Sequence, residues 1–237
     1  MAADVTRGAL GRAAGLDLTA FRPDHVEERV RRALEREGLS EPAELLRLLR
    51  HDSAARERFR RLIAVPVSGL FRDPAQFDLL ERELLPALLA ESPRLTVWSA
   101  GCADGSELYS IALVLERLGA LEESVLLGSD LLEENLAVAR RGLYGEVEIR
   151  PALRRQARWE RRDVVREGAP PGPWRLVLCR NLAIYLSAAA RAELHTTLAG
   201  ALAPGGVLML GRSERLVQPA ALGLVRVGPH AYQRARP

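Results

Sequence analysis

The stretch Leu95-Thr96-Val97-Trp98-Ser99-Ala100-Gly101 constrains the fold more than any other part of the chain. It is an apolar run of the length of a buried strand, it stops at a glycine, and a helical pattern from about Ser106 to Leu118 follows it. A second apolar run, Val125 to Asp130, and a second helical pattern, Glu133 to Arg141, repeat the unit. Strands that alternate with amphipathic helices lie parallel in one sheet with helices on both faces, because a parallel connection is long enough to hold a helix. Trp174–Cys179 and Gly206–Leu210 read as later strands, separated by a helix of about Ala188 to Leu202. Leu222–Val227 and Ala231–Arg234, joined through Gly228-Pro229, read as an antiparallel hairpin at the end of the sheet.

The first sixty or so residues follow a different pattern. Pro23 and Asp24 open a helix in which Val26, Val30, Ala33 and Leu34 recur at helical spacing, and Gly38 ends it. Ser40-Glu41-Pro42 starts a second helix carrying Leu45, Leu46, Leu48 and Leu49, and a third runs from about Ser53 to Ile63. Pro66, Gly69 and Pro74 punctuate what comes next. The expected organisation is a helical domain over 1–63, a linker over 64–74 that contributes to the site, and an α/β domain over 75–237.

Composition narrows the function classes. With 48% hydrophobic and 27% charged residues in 237, the chain is neither disordered nor collagen-like. The 34 cationic side chains face 31 acidic ones in interleaved runs such as Glu27-Glu28-Arg29-Val30-Arg31-Arg32, the pattern of a solvated helix face and not of a nucleic-acid groove. All the cations are Arg, a bias that carries no functional weight. Cys102 and Cys179 sit in apolar strand ends, as buried thiols of a reducing compartment do, and the scattered histidines suggest no metal site. No apolar run approaches the roughly 18 residues of a membrane span, and the N-terminus lacks a signal-peptide core, so a cytoplasmic protein is expected.

The chemistry starts at the first strand–helix turn, Ser99-Ala100-Gly101-Cys102-Ala103-Asp104-Gly105-Ser106-Glu107. Glycines allow a sharp turn and close approach of a ligand to the backbone, and the helix N-terminus offers free N–H groups. The second strand ends in Asp130, placed to accept hydrogen bonds from both ribose hydroxyls of a nucleoside, or to cap the following helix, or both.

These motifs resemble the chemotaxis receptor methyltransferases, the CheR family. The resemblance is carried, in order, by Val97–Cys102, Tyr109-Ser110-Ile111-Ala112, Ser129-Asp130, Ala139–Tyr144, Cys179-Arg180-Asn181-Leu182-Ala183-Ile184-Tyr185 and Gly205–Leu208 with Gly211-Arg212-Ser213-Glu214. Gly15-Leu16-Asp17-Leu18 and the basic helix after Arg22 extend it into the N-terminal domain. It implies a small helical domain followed by a Rossmann-like class I methyltransferase domain, with a mostly parallel seven-stranded sheet that ends in an antiparallel hairpin. It also implies transfer of a methyl group from S-adenosylmethionine to glutamate side chains, leaving S-adenosylhomocysteine. The implied partners are chemoreceptor cytoplasmic helices or another acidic helical signalling protein, met by a monomer without membrane insertion. A non-catalytic S-adenosylmethionine or S-adenosylhomocysteine sensor is the alternative. A nucleic-acid methyltransferase, suggested only by the basic pI, lacks an Asn-Pro-Pro-Tyr type motif or a stacking platform.

Carried over by position, the resemblance puts Ser68 and Arg72 at the methionine end of the cofactor, Ala100 and Gly101 in the loop, and Glu107 against its polar part. Asp130 holds the ribose, Asp163 and Val164 in an expected strand Trp159–Val165 meet adenine, and Arg180, Asn181 and Tyr185 line the reaction centre. Arg72 and Tyr185 are the candidates for orienting the substrate carboxylate. The sequence departs from the family pattern at Pro66, Leu70, Asp104-Gly105-Ser106, Asp163 and Arg212. Between Tyr144 and Trp159 there is no room for the family's receptor-contacting β-subdomain, so Gly145–Arg158 is expected to be a short basic connection bearing Arg150, Arg154, Arg155 and Arg158.

Overall fold

A computed structural model describes residues 2–64 and 69–236, the first four of them by backbone alone. The chain forms two compact units, one of Met1–Pro66 with Tyr185–Ala192, the other of Val67–Ile184 with Glu193–Pro237.

The first unit is helical. Helices α1 (Ala2–Ala14), α2 (Pro23–Glu37), α3 (Pro42–His51) and α4 (Ser53–Ala64) bury Leu10, Val26, Ala33, Leu45, Leu49, Phe59 and Ile63. Proline at the first helical position opens α2 and α3, where its missing N–H costs nothing, and a Glu41–Glu44 capping box completes the start of α3. Polar cross-links join the helices: Arg58 forks to Glu37 through two bonds of 2.8 Å, and the Arg60 guanidinium donates to the Ala14 carbonyl. The returning segment 185–192 is stitched to the turn before α2, where Ser187 N donates to Ala20 O at 2.8 Å and Phe21 pairs with Leu186 as an antiparallel bridge.

The second unit opens with a continuous helical segment made of α5 (Pro74–Leu79), a widened π turn (Leu80–Leu84) and α6 (Leu85–Glu91). Pro86 explains the widening, because it has no N–H to give to the regular ladder and Leu85 N instead reaches back to Leu80 O. The sheet strands are β1 (Thr96–Ala100), β2 (Val125–Asp130), β5 (Ala157–Arg161), β6 (Trp174–Cys179), β7 (Leu202–Leu210), β8 (Leu224–Gly228) and β9 (Ala231–Arg234). They lie in the order β5-β2-β1-β6-β7-β9-β8, parallel from β5 to β7 and antiparallel at β7–β9 and β9–β8. This is the mostly parallel seven-stranded sheet with a closing antiparallel hairpin that the sequence led us to expect. Helices α7 (Ser106–Arg117), α8 (Glu133–Arg141), α9 (Pro151–Gln156), α10 (Val164–Glu167) and α11 (Ala188–Ala201) connect the strands. Alternate residues of the central strands, Val97, Leu176, Leu178, Val207 and Met209, join one cluster with Phe77, Leu85, Ile111 and Leu115, while Trp98, Val177, Leu208 and Leu210 are buried on the opposite face. A sheet buried on both faces presents its strand ends as its polar working surface.

Two expectations need correcting. The strand expected over Trp159–Val165 is β5, which ends at Arg161; Asp163 cannot extend it because its carboxylate Oδ1 turns onto Val165 N and Arg166 N and caps α10. The segment after Tyr144 is not a bare connection, since β3 (Leu143–Tyr144) and β4 (Val147–Glu148) form a minimal antiparallel hairpin and α9 follows it. Its arginines are partly used internally, Arg150 on Glu116 and Arg154 on the Arg141 carbonyl at 2.7 Å.

The hairpin and β5 close over the glycine loop through an aromatic group. Tyr109 lies 5.3 Å from Trp159 and 6.1 Å from Tyr144, ring centre to ring centre, and Gly128 of β2 makes room for Trp159. A Cβ at Gly128 would stand 2.4 Å from Trp159 Cζ3 and 3.0 Å from Cys102 Sγ. Gly128→Ala is therefore expected to lower stability in urea denaturation by about 1–3 kcal/mol, with a smaller loss in a Trp159→Leu background. An equal loss in both backgrounds would show that Trp159 is not what the methyl group meets.

Candidate active site

In a sheet of this order the chain reverses its direction of strand addition between β1 and β6, and ligands bind outside the carboxyl ends of the strands at that point. Four groups of residues converge there: the loop after β1, Asp130 after β2, Arg180 and Asn181 after β6, and the segment 69–76 that leads into α5.

Arg180 joins them. Its side chain is 2% exposed, and its guanidinium donates to Gln76 Oε1 at 2.8 Å, Glu107 Oε2 at 3.0 Å, Arg72 O at 2.5 Å and Asp73 Oδ2 at 3.0 Å. The cation also stands 5.1 Å above the Phe77 ring. Gln76 passes the connection on, donating from Nε2 to Leu210 O at the end of β7 at 2.8 Å. Glu107 does the same toward β1, accepting from Ser99 Oγ at 2.7 Å. One cation faces two carboxylates, so the knot keeps a surplus of negative charge.

Glu214 makes a second knot. Buried at 5% exposure, its carboxylate accepts from four backbone N–H groups, Asn181 and Ala183 at 2.7 Å, Gly211 at 2.9 Å and Ile184 at 3.3 Å. Burial raises its pKa, and the four donors oppose that rise. They hold the turn after β6 in an unusual shape, with Asn181 at φ +62°. Phe71 at +53°, Asp73 at +61° and Ala103 at +47° are strained in the same way; Asn181 follows Arg180, and Asp73 supplies one of its partners.

The loop after β1 is tied to β2. Cys102 N donates to Ser129 O and Ala103 N to Asp130 Oδ2, each at 2.9 Å. Asp130 Oδ1 accepts from Leu132 N and Asn135 Nδ2, also at 2.9 Å. The side chain thus ties the turn that leads into α8 to the Asn135 side chain and anchors the loop, and one lone pair on Oδ2 stays open. Burial raises the pKa of Asp130 against those three hydrogen bonds. Gly101, at φ +69°, has no Cβ, and one added there would stand 3.1 Å from Leu182. Ala100 is fully buried at the strand end.

The remaining predicted residues fall as follows. Arg72 is half-buried, with its carbonyl on Arg180 and its N–H on Gly69 O. Val164 is buried, and burial raises the pKa of its neighbour Asp163. Ser68 lies outside the described residues. Tyr185 belongs to the helical unit, where its ring meets His25. Of the basic residues on α2, Arg31 pairs with Glu28 and Glu35 and Arg32 with Glu28, whereas Arg29 forms no ion pair among the described residues. Sequence reasoning gave no role to Gln76, Glu214, Asn135 and Ser99, although Ser99 opens the glycine loop and Glu214 ends the Gly-Arg-Ser-Glu turn, both quoted as motifs. Among the described residues no group of three or more His, Cys, Asp or Glu is arranged to hold a metal ion, and no helix is long and apolar enough to cross a membrane.

Comparison with known proteins agrees with this geometry. The family described as CheR methyltransferase, SAM binding domain, matches residues 67–151 and 145–227. A chemotaxis protein methyltransferase of Listeria innocua is 29% identical over 92% of this chain and 91% of its own length. Chemotaxis protein methyltransferase 1 of Pseudomonas aeruginosa is 27% identical over 98% of this chain and 97% of its own. Among solved structures, a TehB-like SAM-dependent methyltransferase from Corynebacterium glutamicum overlays with a TM-score of 0.44 at 15% identity, covering 81% of this chain and 97% of that one.

Removing the Glu214 carboxylate leaves four N–H groups facing a cavity. Glu214→Ala is expected to cost about 3 kcal/mol or more in chemical denaturation. A loss under about 1 kcal/mol would mean that the turn after β6 does not depend on it.

Proposed function

Because the chain belongs to the CheR methyltransferase family and carries that family's S-adenosylmethionine-binding domain, we propose that it is a protein-glutamate O-methyltransferase acting on acidic helices of chemoreceptors or of a related signalling protein. The observation that carries the reading is Asp130, fixed at the carboxyl end of β2 with one acceptor position open beside the Gly101 loop. The cofactor, when bound, supplies a methyl carbon made electrophilic by a sulfonium.

The residues present fit it. Gly101 makes the left-handed turn that a Cβ pressed on Leu182 would disturb, and Asp130 Oδ2 takes a ribose hydroxyl. Asp163 Oδ1 is used in capping α10, which leaves Oδ2 to accept from the adenine amino group, next to the apolar wall of Val164. The excess carboxylate of the Arg180 knot suits a ligand that carries an ammonium and a sulfonium, with Glu107 as the group that meets it. In this reading Arg180 acts through Glu107 and the backbone of Arg72, and Asn181 offers the bend that Glu214 holds.

A glutamate carboxylate, with an ordinary pKa near about 4.3, is ionised at neutral pH and needs no general base. The enzyme's task is alignment of the carboxylate in a dry environment, a role the family resemblance gives to Arg72 and Tyr185. Arg29 and Arg36, which form no ion pair among the described residues, are the α2 arginines left to meet an acidic helix, and Arg31 and Arg32 are largely neutralised by Glu28 and Glu35. A substrate of this kind places the protein in the cytoplasm.

The test is transfer of radiolabelled methyl to a chemoreceptor fragment, read as base-labile volatile counts. Methyl esters are expected in the parent, and cofactor binding without transfer to any acidic helical substrate would replace the enzyme with a sensor. Asp130→Ala is expected to weaken S-adenosylhomocysteine binding in calorimetry by more than about tenfold, the loss of a charge-assisted hydrogen bond of roughly 1.5–3 kcal/mol. Unchanged affinity would remove Asp130 from the ribose site. Tyr185→Phe is expected to slow transfer by about tenfold to a hundredfold with cofactor affinity nearly intact. Equal losses in affinity and rate would place Tyr185 on the cofactor instead.

A further inference from the structure

The Gly211-Arg212-Ser213-Glu214 motif does more than supply one buried carboxylate. It opens a turn, residues 211–217, that leaves the carboxyl end of β7 beside the turn after β6, because those strands are parallel with Cys179 opposite Leu210. A Cβ at Gly211 would stand 2.8 Å from Asn181 N, so the two turns are in contact. All of these residues belong to the second compact unit. The turn is tied down from inside. The Glu214 carboxylate takes Gly211 N and three N–H groups of the β6 turn, and Glu214 N donates to Gly211 O at 2.9 Å. The closing hairpin adds two bonds, His230 Nδ1 to Glu214 O at 2.6 Å and Leu216 N to the Tyr232 hydroxyl at 3.1 Å. Burial alternates along the same segment: Glu214 and Leu216 are buried, while Arg212, Arg215 and Val217 are exposed. Val217 is 90% exposed, more than any other large hydrophobic residue among the described ones.

We propose that residues 211–217 are a docking surface for an acidic segment of the protein substrate, on which Arg212 and Arg215 pair with carboxylates beside the methylated glutamate and Val217 seats an apolar side chain. The proposal rests on the reading of the chain as a methyltransferase of acidic helices. Neither arginine forms an ion pair among the described residues, so both charges are left for a partner of opposite sign. The place is right for such a partner: Gln76, which holds Arg180, also donates to Leu210 O immediately before the turn, so a segment seated here is one strand away from the Arg180 knot. Because the backbone is already fixed, docking has only the outward side chains to order, which lowers its entropic cost. An apolar side chain standing among cations matches an amphipathic acidic segment. A nucleic acid would find two guanidinium groups and no stacking ring on this turn.

The experiment measures methyl transfer to a chemoreceptor cytoplasmic fragment as its concentration is varied, with S-adenosylhomocysteine affinity and Tm recorded for each variant. The variants are Arg212→Glu with Arg215→Glu, Arg212→Gln with Arg215→Gln, and Val217→Ser. Arg82→Glu with Arg94→Glu, two exposed arginines on the π turn and before β1, is the control of equal charge change. The double reversal is expected to raise the KM for the fragment by about tenfold or more, with kcat, cofactor affinity and Tm nearly unchanged. The glutamine pair gives a smaller rise, Val217→Ser a rise of about threefold, and the control stays within about twofold of the parent. Added salt raises this KM steeply in the parent and weakly in the double reversal. If the parent methylates the fragment and the double reversal leaves its KM unchanged, or the control raises it as much, the proposal falls and the enzyme reading stands. If the parent binds the fragment without transferring methyl, the enzyme reading falls. Fragment affinity by fluorescence anisotropy then decides: a loss in the double reversal and not in the control supports the docking surface, and any other pattern overturns it. A parent that neither methylates nor binds the fragment overturns both.

Discussion

The proposed cofactor site depends on one desolvated cation. Arg180 leaves the end of β6 and reaches Gln76, Asp73, the Arg72 carbonyl and Glu107, so that a single guanidinium connects the entry to α5, the start of α7 and the central strands. Moving a charge out of water costs several kcal/mol, and only good geometry with several partners offsets it. Arg180 has that geometry: the planar fork satisfies acceptors in different directions at once, which a lysine ammonium on a flexible stem would do poorly. Its surroundings are fixed by hydrogen bonds, with Glu107 held by Ser99 on one oxygen and by Arg180 on the other.

Strain collects around the same point. Phe71, Asp73 and Asn181 occupy left-handed backbone conformations that cost non-glycine residues of order 1–3 kcal/mol each. What holds them is the pair of buried side chains: Arg180 takes the carbonyl between Phe71 and Asp73, and Glu214 takes the N–H of Asn181. Buried charge on a rigid sheet thus shapes two irregular segments into the walls of a crevice, and Glu214 extends that control to Ile184, the residue before Tyr185.

The fold was legible because its signals are local. The β2 and α8 boundaries, the proline openings of α2 and α3 and the closing hairpin follow from periodicity and from residues that permit or forbid backbone hydrogen bonds. The π turn was not, since Pro86 lies in an otherwise ordinary helical pattern. The strand expected through Asp163 failed because an aspartate that caps the next helix wins over extension of β5. At the candidate site the glycine loop and Asp130 announced themselves by position. Gln76 and Asn135 did not, because their roles depend on partners that only the folded chain brings near, Leu210 and Asp130. Left-handed Phe71 and Ala103 have no sequence signature, since nothing about those residue types asks for that conformation.

The central claim is that Arg180 builds the cofactor site without being a ligand of it. It is tested most directly by titrating S-adenosylhomocysteine into Arg180→Lys by calorimetry, with Tm recorded on the same sample. Lysine keeps the charge but loses the fork, so the account predicts that Tm falls by several degrees and affinity by at least about tenfold. A variant that lost affinity with Tm and the positions of Gln76 and Glu107 unchanged would contradict it, since Arg180 would then be acting on the cofactor itself.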